Sequence, residues 1–380
     1  MIVPFFGFQD LPNTILVEWI AAAERVLRNG IYIGGSEVEL FEQEWSESVG
    51  AAHCVGVANG MDAITLALKS VGISKGMKVA VPSHTFIATW LAVANLGAEP
   101  VGIDCGADGL MDLSLLIDHD LDVQCVVPVH MHGQMVDMER LMNWAKPKGI
   151  KVVEDCAQAH GAIQKGKFAG TWGDAGAFSF YPSKNLGAAG DAGAVVTSNP
   201  AIANKIRSLG NYGSEPGNKY RYESLGLNSR LDPIQAAILR VNLKYLNDWN
   251  KKRREIAHSY YNFFEEVGIR HLQVSVEDSV HHHCVLLTDE RDNVRAMLAS
   301  VGVMTEVHYP ESAESSYCKL AGAHRRGNLN ADFISSQAIS IPLTPWLTAT
   351  KISQVIGALS SENILKILTG AENENHSFKN

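Results

Sequence analysis

The sequence lacks the features that mark membrane proteins, nucleic-acid-binding proteins and secreted proteins. Its 380 residues contain no unbroken apolar run of the roughly 18 residues that a membrane span needs, and the N-terminal MIVPFFGFQDLPN has no basic residue of a signal peptide. The net charge is −9, and no stripe of lysine and arginine offers a surface for nucleic acid. The six cysteines are scattered without CxxC spacing, which is typical of reduced, buried thiols. We therefore expect a cytoplasmic protein that binds neither membranes nor nucleic acid.

The composition is that of an ordinary globular protein, with 46% hydrophobic and 19% charged residues. The chain is longer than one core usually organises, so a large and a smaller domain are expected. Over residues 1–245, helical segments alternate with strand-like apolar runs. These runs are HCVGVA, KVAVPS, EPVGID, QCVVPVH, KVVEDCA, AGAFSF and GAVVTSN. The alternation predicts an α/β domain with a mostly parallel, seven-stranded sheet flanked by helices.

The pattern changes after residue 245. Residues 246–368 contain a long helical segment, the run HHHCVLL, the segment MTEVHYP and a final helical segment. This mixture predicts a smaller C-terminal α+β domain. The polar residues 369–380, TGAENENHSFKN, are expected to form a frayed tail.

Two charged residues follow apolar runs of the first domain. Lys184 lies in AFSFYPSKNLGAAGDAG after the run AGAFSF, and Asp155 ends the strand KVVED. Open α/β sheets bind ligands at the carboxyl ends of their strands, so both side chains are candidates for a binding crevice. A lysine becomes a nucleophile when burial and nearby positive charge lower its pKa. Taken alone, Lys184 is also compatible with a solvated loop, and Asp155 with a helix cap or turn.

Further residues suit a phosphate group and a flat ring. The segment VANGMDAITLAL predicts a strand, a tight turn and a helix that begins at Gly60 and Met61, whose N–H groups would stabilise an anion. Ser179, which ends the strand before the lysine, adds a hydroxyl. Phe86 follows another strand, where its ring either covers a flat ligand or belongs to the core. With the lysine for an aldehyde and the aspartate for a ring nitrogen, this combination predicts a pyridoxal phosphate site.

Seven motifs carry a resemblance to a known family. In chain order they are NGMDAITLAL, PSHTFIATWLAV, VPVHMHGQ, EDCAQAHGA, FSFYPSKNLGAAGDAGAVVT, NYGS and GLNSRLDPIQAA. From about residue 10 to about residue 345, the chain is similar to the DegT/DnrJ/EryC1/StrS sugar aminotransferases. The resemblance implies the type I aminotransferase fold and a homodimer with active sites at the subunit interface. It also implies L-glutamate as amino donor and a nucleotide-linked keto sugar as acceptor.

The resemblance implies roles for single residues as well. Lys184 would form the Schiff base with the cofactor and carry the proton, and its presence favours transamination over the dehydration catalysed by family members that lack this lysine. Gln158 would contact the ring oxygen beside Asp155, and Asn228 would reach the phosphate of the neighbouring subunit's cofactor. Candidate contacts of the sugar nucleotide are Tyr181, Lys219, Tyr220, His308 and Tyr309.

The substrate is suggested by three segments, NGMDA, TFIATWLAV and FYPSKNLGAAGDAGAV. They look most like enzymes that aminate carbon 3 of dTDP-3-keto-6-deoxyhexoses, which serve the synthesis of polysaccharides such as O-antigens. Amination of carbon 4, or of a UDP-linked sugar, is the alternative. His84 stands where asparagine is expected and His132 where tyrosine is usual, and both are expected to line the sugar pocket.

Three other interpretations explain less of the sequence. A catalytically silent regulator that binds pyridoxal phosphate does not need the complete set of Lys184, Asp155 and Gln158. A dinucleotide-dependent oxidoreductase needs GxGxxG after its first strand, whereas GAAGDAG has a different spacing and follows a late strand. The adjacent histidines 281–283 would face opposite sides of a strand, so we expect no metal site.

Overall fold

The computed structural model of the protein describes residues 2–215, 217–275, 277–323 and 329–370. Its strands are β1 (His53–Val57), β2 (Lys78–Pro82), β3 (Glu99–Ile103), β4 (Cys125–Val126), β5 (Lys151–Asp155), β6 (Ile163–Gln164), β7 (Lys167–Phe168), β8 (Ala175–Ser179), β9 (Gly193–Thr197), β10 (Ser214–Glu215), β11 (Asn218–Tyr222), β12 (Cys284–Leu287) and β13 (Ala338–Ile341). Its α-helices are α1 (Asn13–Asn29), α2 (Ser36–Val49), α3 (Gly60–Ser70), α4 (Ile87–Ala94), α5 (Leu113–Ile117), α6 (Met138–Ala145), α7 (Pro200–Gly210), α8 (Pro233–Leu243), α9 (Leu246–Val267), α10 (Arg291–Ser300), α11 (Ala313–Ala321), α12 (Asn330–Gln337), α13 (Ala349–Leu359) and α14 (Glu362–Thr369). Short 3-10 helices cover Phe8–Asp10, Met131–Gly133 and Lys146–Lys148.

A seven-stranded sheet carries the first part of the fold. Its strands lie in the order β1-β9-β8-β5-β4-β2-β3. Strand β9 pairs antiparallel with β1 and β8, whereas the other neighbouring strands pair in parallel. The sheet predicted from the seven apolar runs is therefore confirmed. Because helices connect the parallel strands and cover both faces, the strands are apolar along most of their length.

Successive residues of each strand enter different cores. In β8, Phe178 belongs to the core on one face of the sheet and Ala177 to the core on the other. In β5, Val152 and Val153 divide in the same way. This follows from the geometry of a strand, whose side chains point alternately to the two faces. The burial of both faces leaves the carboxyl ends of the strands as the place for polar side chains.

A separate core forms in the C-terminal part of the chain. Helix α9 joins the two regions, since Leu246 at its start packs in the sheet core while Ile256 and Phe264 pack in the second core. The second core continues through β12, β13 and the helices α10, α13 and α14, and it also includes Val3 from the N-terminus. A boundary between residues 245 and 246 stays a prediction.

The predicted tail is only partly described. Helix α14 ends at Thr369, and Gly370 follows it in the left-handed conformation with φ 72°. Residues 371–380 lie outside the described residues. In the described part of the chain, none of the helices combines the length and the apolar character needed to cross a membrane.

Candidate active site

A pocket of about 480 Å³ lies at the carboxyl ends of the parallel strands. Elements that follow β1, β2, β5 and β8 form most of it, and segments before β12 and after α10 complete it. The structure brings ten predicted site residues together in its lining, namely Gly60, Met61, Phe86, Asp155, Gln158, Ser179, Tyr181, Lys184, His308 and Tyr309. These residues come from distant parts of the sequence, so the sheet topology is what assembles them.

Lys184 lies in the loop after β8. Its backbone N–H donates to the carbonyl of Tyr181 at 2.9 Å, which closes a turn directly after the strand. Burial of the ammonium group lowers the pKa of Lys184 to about 8, and the negative charge of Asp155 acts in the opposite direction. A larger fraction of this lysine is therefore an uncharged amine near neutral pH than for a solvated lysine, as a nucleophile requires.

Asp155 is a buried carboxylate with both oxygens engaged. Oδ1 accepts from the N–H of Ala157 at 3.1 Å, and Oδ2 accepts from the hydroxyl of Thr89 at 2.9 Å. Burial raises the pKa of Asp155, while these hydrogen bonds and the charge of Lys184 oppose the rise. The sequence does not predict this contact of Thr89. This residue lies in the first turn of α4, three residues after Phe86, and nothing local in the sequence pairs it with a residue of β5.

The start of α3 forms an anion cradle. Asn59 caps the helix by accepting from the N–H of Asp62 at 2.9 Å, and Gly60 and Met61, the first two helical residues, line the pocket. A Cβ at Gly60 would lie 2.5 Å from Cβ of Ser179, so only glycine lets the helix approach that closely. The first-turn N–H groups and the Ser179 hydroxyl thus converge on one region, which suits a phosphate.

Aromatic and amide side chains complete the lining. Phe86 is 54% exposed at the N-cap of α4, and its ring centroid lies 5.4 Å from that of Tyr309. The exposed Phe86 is therefore a surface of the pocket and does not belong to the core. Gln158 accepts from the N–H of His132 at 2.7 Å and donates from Nε2 to the hydroxyl of Tyr309 at 3.1 Å. The pocket thus offers Lys184 for an aldehyde, Asp155 for a ring nitrogen and the start of α3 for a phosphate. Pyridoxal phosphate carries all three groups, so the residues fit this cofactor.

Of the remaining predicted residues, Asn228 and Tyr220 do not line this pocket. Asn228 is exposed and forms an isolated backbone bridge with Asn211, and its predicted contact with a neighbouring subunit stays a prediction. Tyr220 is 79% exposed on β11. Lys219 belongs to the same strand, but its side chain lies outside the described residues.

His84 and His132 do not line the pocket either, so the expectation for these two residues was wrong. Both are fully buried, with ring centroids 5.7 Å apart. Burial lowers the pKa of His84 to about 4 and that of His132 well below its usual value. Both histidines are therefore neutral residues of the interior.

The consecutive histidines do not lie on a strand, contrary to the expectation from the sequence. Residues 281–283 precede β12 and do not alternate as strand residues, and both His282 and His283 line the pocket. Their ring centroids are 4.1 Å apart, and the ring of His283 stacks on that of His308 at 3.9 Å. A different group, His130, Glu154 and Cys156, has ligand atoms within 4.8 Å of one another. Glu154 in that group already accepts from the N–H groups of Gly170, Trp172 and Gly173.

The mostly parallel sheet, the buried lysine and carboxylate and the anion cradle define a type I aminotransferase. A model of the DegT/DnrJ/EryC1/StrS aminotransferase family matches residues 13–360. The chain therefore belongs to this family, and its predicted fold, its class of enzyme and its cofactor, pyridoxal phosphate, are confirmed.

Individual relatives cover nearly the whole chain. A dTDP-3-amino-3,4,6-trideoxy-α-D-glucose transaminase of Streptomyces venezuelae is 40% identical over 362 residues, which are 94% of this chain and 95% of that protein. A dTDP-3-amino-3,6-dideoxy-α-D-galactopyranose transaminase of Aneurinibacillus thermoaerophilus is 38% identical over 366 residues, 94% of this chain and 99% of that protein. The crystal structure of S. venezuelae DesV in complex with a ketimine intermediate is similar with a TM-score of 0.89 at 40% identity, covering 94% of this chain and 97% of that chain.

Proposed function

We propose that the protein transfers an amino group from L-glutamate to carbon 3 of a nucleotide-linked keto sugar, a dTDP-3-keto-6-deoxyhexose. The observation that carries this proposal is the presence of Lys184 and the buried Asp155 in one pocket, in a chain 40% identical to a transaminase of a dTDP-3-amino sugar. The product would be an amino sugar for a polysaccharide or another natural product.

The proposed roles follow from the chemistry of each side chain. When bound, pyridoxal phosphate supplies an aldehyde that takes up the amino group and a ring that accepts electrons. Lys184 would anchor the aldehyde. Its Nζ would then take the proton from the α-carbon of glutamate and deliver it to the aldehyde-derived carbon of the cofactor. In the second half of the reaction Nζ would move a proton the opposite way, from that carbon to carbon 3 of the sugar. Asp155 keeps a proton on the ring nitrogen, because its negative charge favours the cationic ring.

Other residues bind and orient. Gly60, Met61 and Ser179 would hold the phosphate, Phe86 would cover one face of the ring, and Gln158 would contact the ring oxygen. The sugar nucleotide would contact Tyr181, Lys219, Tyr220, His308 and Tyr309, of which Tyr181, His308 and Tyr309 line the pocket.

The assembly and the location belong to the same proposal. We infer a homodimer in which Asn228 of each subunit serves the phosphate site of the other. Its exposed position supports this role. The six cysteines are free and buried, which supports a cytoplasmic location.

The test is a visible spectrum of the protein loaded with pyridoxal phosphate. L-Glutamate should bleach the visible band of the wild type, and dTDP-3-keto-6-deoxyglucose should restore it. Lys184→Ala should show neither change, whereas Lys366→Ala, which removes an exposed lysine of α14, should behave as the wild type. Failure to load the cofactor or to bleach would refute the aminotransferase assignment.

Two further outcomes separate the alternatives. Bleaching by glutamate without restoration by this sugar would leave the aminotransferase intact but refute the substrate. A panel of 4-keto and UDP-linked sugars would then identify the acceptor. A stable band that glutamate never bleaches would instead indicate a silent binder of the cofactor.

A further inference from the structure

A second, small cavity adjoins the active-site pocket. Its volume is about 30 Å³, and it shares Ser183, His282, His283 and His308 with the pocket lining. Phe5 and Arg253 also line it. The two spaces are therefore neighbours that share four lining residues, so a group in the small cavity would lie next to the active-site pocket.

Arg253 is the unusual member of this lining. It lies in α9 and is only 3% exposed. Within the described residues its hydrogen bond from Nη1 to the carbonyl of Leu343 measures 2.6 Å, and its Nε has no partner there. Burial lowers the pKa of Arg253 to about 9, and no carboxylate of the described chain opposes this effect. The guanidinium is thus a buried cation that lacks a counter-ion in those parts of the chain.

A buried cation of this kind is stable only with an anion nearby. Burial of an unpaired charge is strongly unfavourable, and arginine does not escape this cost by losing its proton at neutral pH. The half-buried Arg240, by contrast, has two acidic partners, Glu37 and Glu44. At Arg253 the cavity stands where such a partner would be expected.

We propose that Arg253 and Ser183 form a subsite for a carboxylate group of the amino donor. The inference rests on the proposed function and adds the residue that recognises the donor. A guanidinium presents paired N–H groups that match the two oxygens of a carboxylate, and the Ser183 hydroxyl can donate to the same group.

The size of the cavity selects this occupant. A water molecule needs a cavity of roughly 10–15 Å³. The cavity of about 30 Å³ therefore suits one carboxylate or one small ion. A diphosphate with its attached sugar is far larger. The nucleotide-linked acceptor therefore belongs in the larger pocket, and the small cavity distinguishes the donor from the acceptor.

The experiment uses three variants of the enzyme loaded with pyridoxal phosphate. Arg253→Gln removes the charge, Arg253→Lys keeps the charge without the paired N–H groups, and Arg254→Gln changes the neighbouring arginine of α9, which does not line the cavity. Glutarate is the probe because it has two carboxylates but no amine to transfer. Its dissociation constant is measured by calorimetry, and thermal unfolding shows that each variant is folded.

We expect glutarate to bind at least about tenfold more weakly to Arg253→Gln and Arg253→Lys, since each loses charge-assisted hydrogen bonds. Arg254→Gln should bind within about twofold of the wild type. In kinetic terms, the KM for glutamate should rise by a similar factor in the Arg253 variants. The reaction of the aminated enzyme with the keto sugar should change less than about threefold, because that half involves no donor carboxylate.

Equal losses in both half-reactions, or unchanged affinity for glutarate, would overturn the proposal. A crystal soaked in bromide gives a third outcome. If bromide occupies this cavity while Arg253→Gln binds glutarate as tightly as the wild type, the site binds a free anion and the proposal is also overturned. Glutarate binding does not require turnover. If its dependence on Arg253 holds while the wild type fails to transaminate, the subsite stands and the proposed function falls.

Discussion

Thr89 donates a 2.9 Å hydrogen bond from its hydroxyl to Oδ2 of Asp155, and both residues are buried. The hydroxyl of Thr85 lies 3.1 Å from that of Thr89, which extends the contact along the start of α4. A hydrogen bond donated to a carboxylate favours its charged form. Burial raises the pKa of Asp155, whereas the hydrogen bond from Thr89 lowers it. Thr89 is therefore a positioning residue for the carboxylate that the proposed reaction requires.

Thr89→Val keeps the shape of the side chain but removes the hydroxyl. The pKa of Asp155 should rise further, so the acidic limb of the pH profile for glutamate-dependent bleaching should move to higher pH. We expect a shift of about one pH unit and a rate about tenfold lower on that limb. Thr89→Ser, which retains the hydroxyl, should resemble the wild type. A uniform loss of rate with an unchanged profile would contradict this role.

Gly60→Ala should weaken cofactor binding. The new Cβ would meet Cβ of Ser179 at 2.5 Å and force the start of α3 away from the phosphate site. We expect the dissociation constant of pyridoxal phosphate to rise at least about tenfold. In Gly357→Ala on α13, the added Cβ has no neighbour within 4 Å. This control should leave the constant unchanged and stabilise the protein by about 0.5–1 kcal/mol. Equal binding of pyridoxal phosphate by both variants would contradict the role of the start of α3 as the phosphate site.

The sequence predicts those parts of the site that depend on local pattern. Asp155 ends one apolar strand and Lys184 follows another. Because the carboxyl ends of parallel strands lie at the same edge of a sheet, these two residues meet there irrespective of the segments that connect the strands. The contact between Thr89 and Asp155 was not predictable, because it joins two elements far apart in the sequence. The burial of His84 and His132 was missed for the same reason. Their neighbour Gly109, in the left-handed conformation with φ 77°, belongs to a loop that no pattern assigned to this place.

The pH dependence of cofactor loading tests the environment of Lys184. Only the uncharged amine attacks an aldehyde, so the rate at which the cofactor-free enzyme gains its visible band should rise with pH to a midpoint near 8. Asp155 raises the pKa of this lysine, so in Asp155→Asn the midpoint should move to lower pH. Stopped-flow absorbance measures both profiles. A midpoint near the ordinary lysine value of about 10.4 would show that burial does not shift the pKa of Lys184.

The proposed role of Asn228 across the subunit interface predicts complementation between inactive variants. Each active site would combine Lys184 of one subunit with Asn228 of the other. A mixed dimer of Lys184→Ala and Asn228→Ala subunits then has one site with both changes and one site with neither. Refolding an equal mixture gives about half mixed dimers, so about one quarter of the wild-type activity should return. If Asn228 acted within its own subunit, every site of the mixed dimer would carry one change. Activity would then stay at the level that the two variants show separately. Gel filtration shows that dimers have formed, and glutamate turnover of the same sample measures the activity.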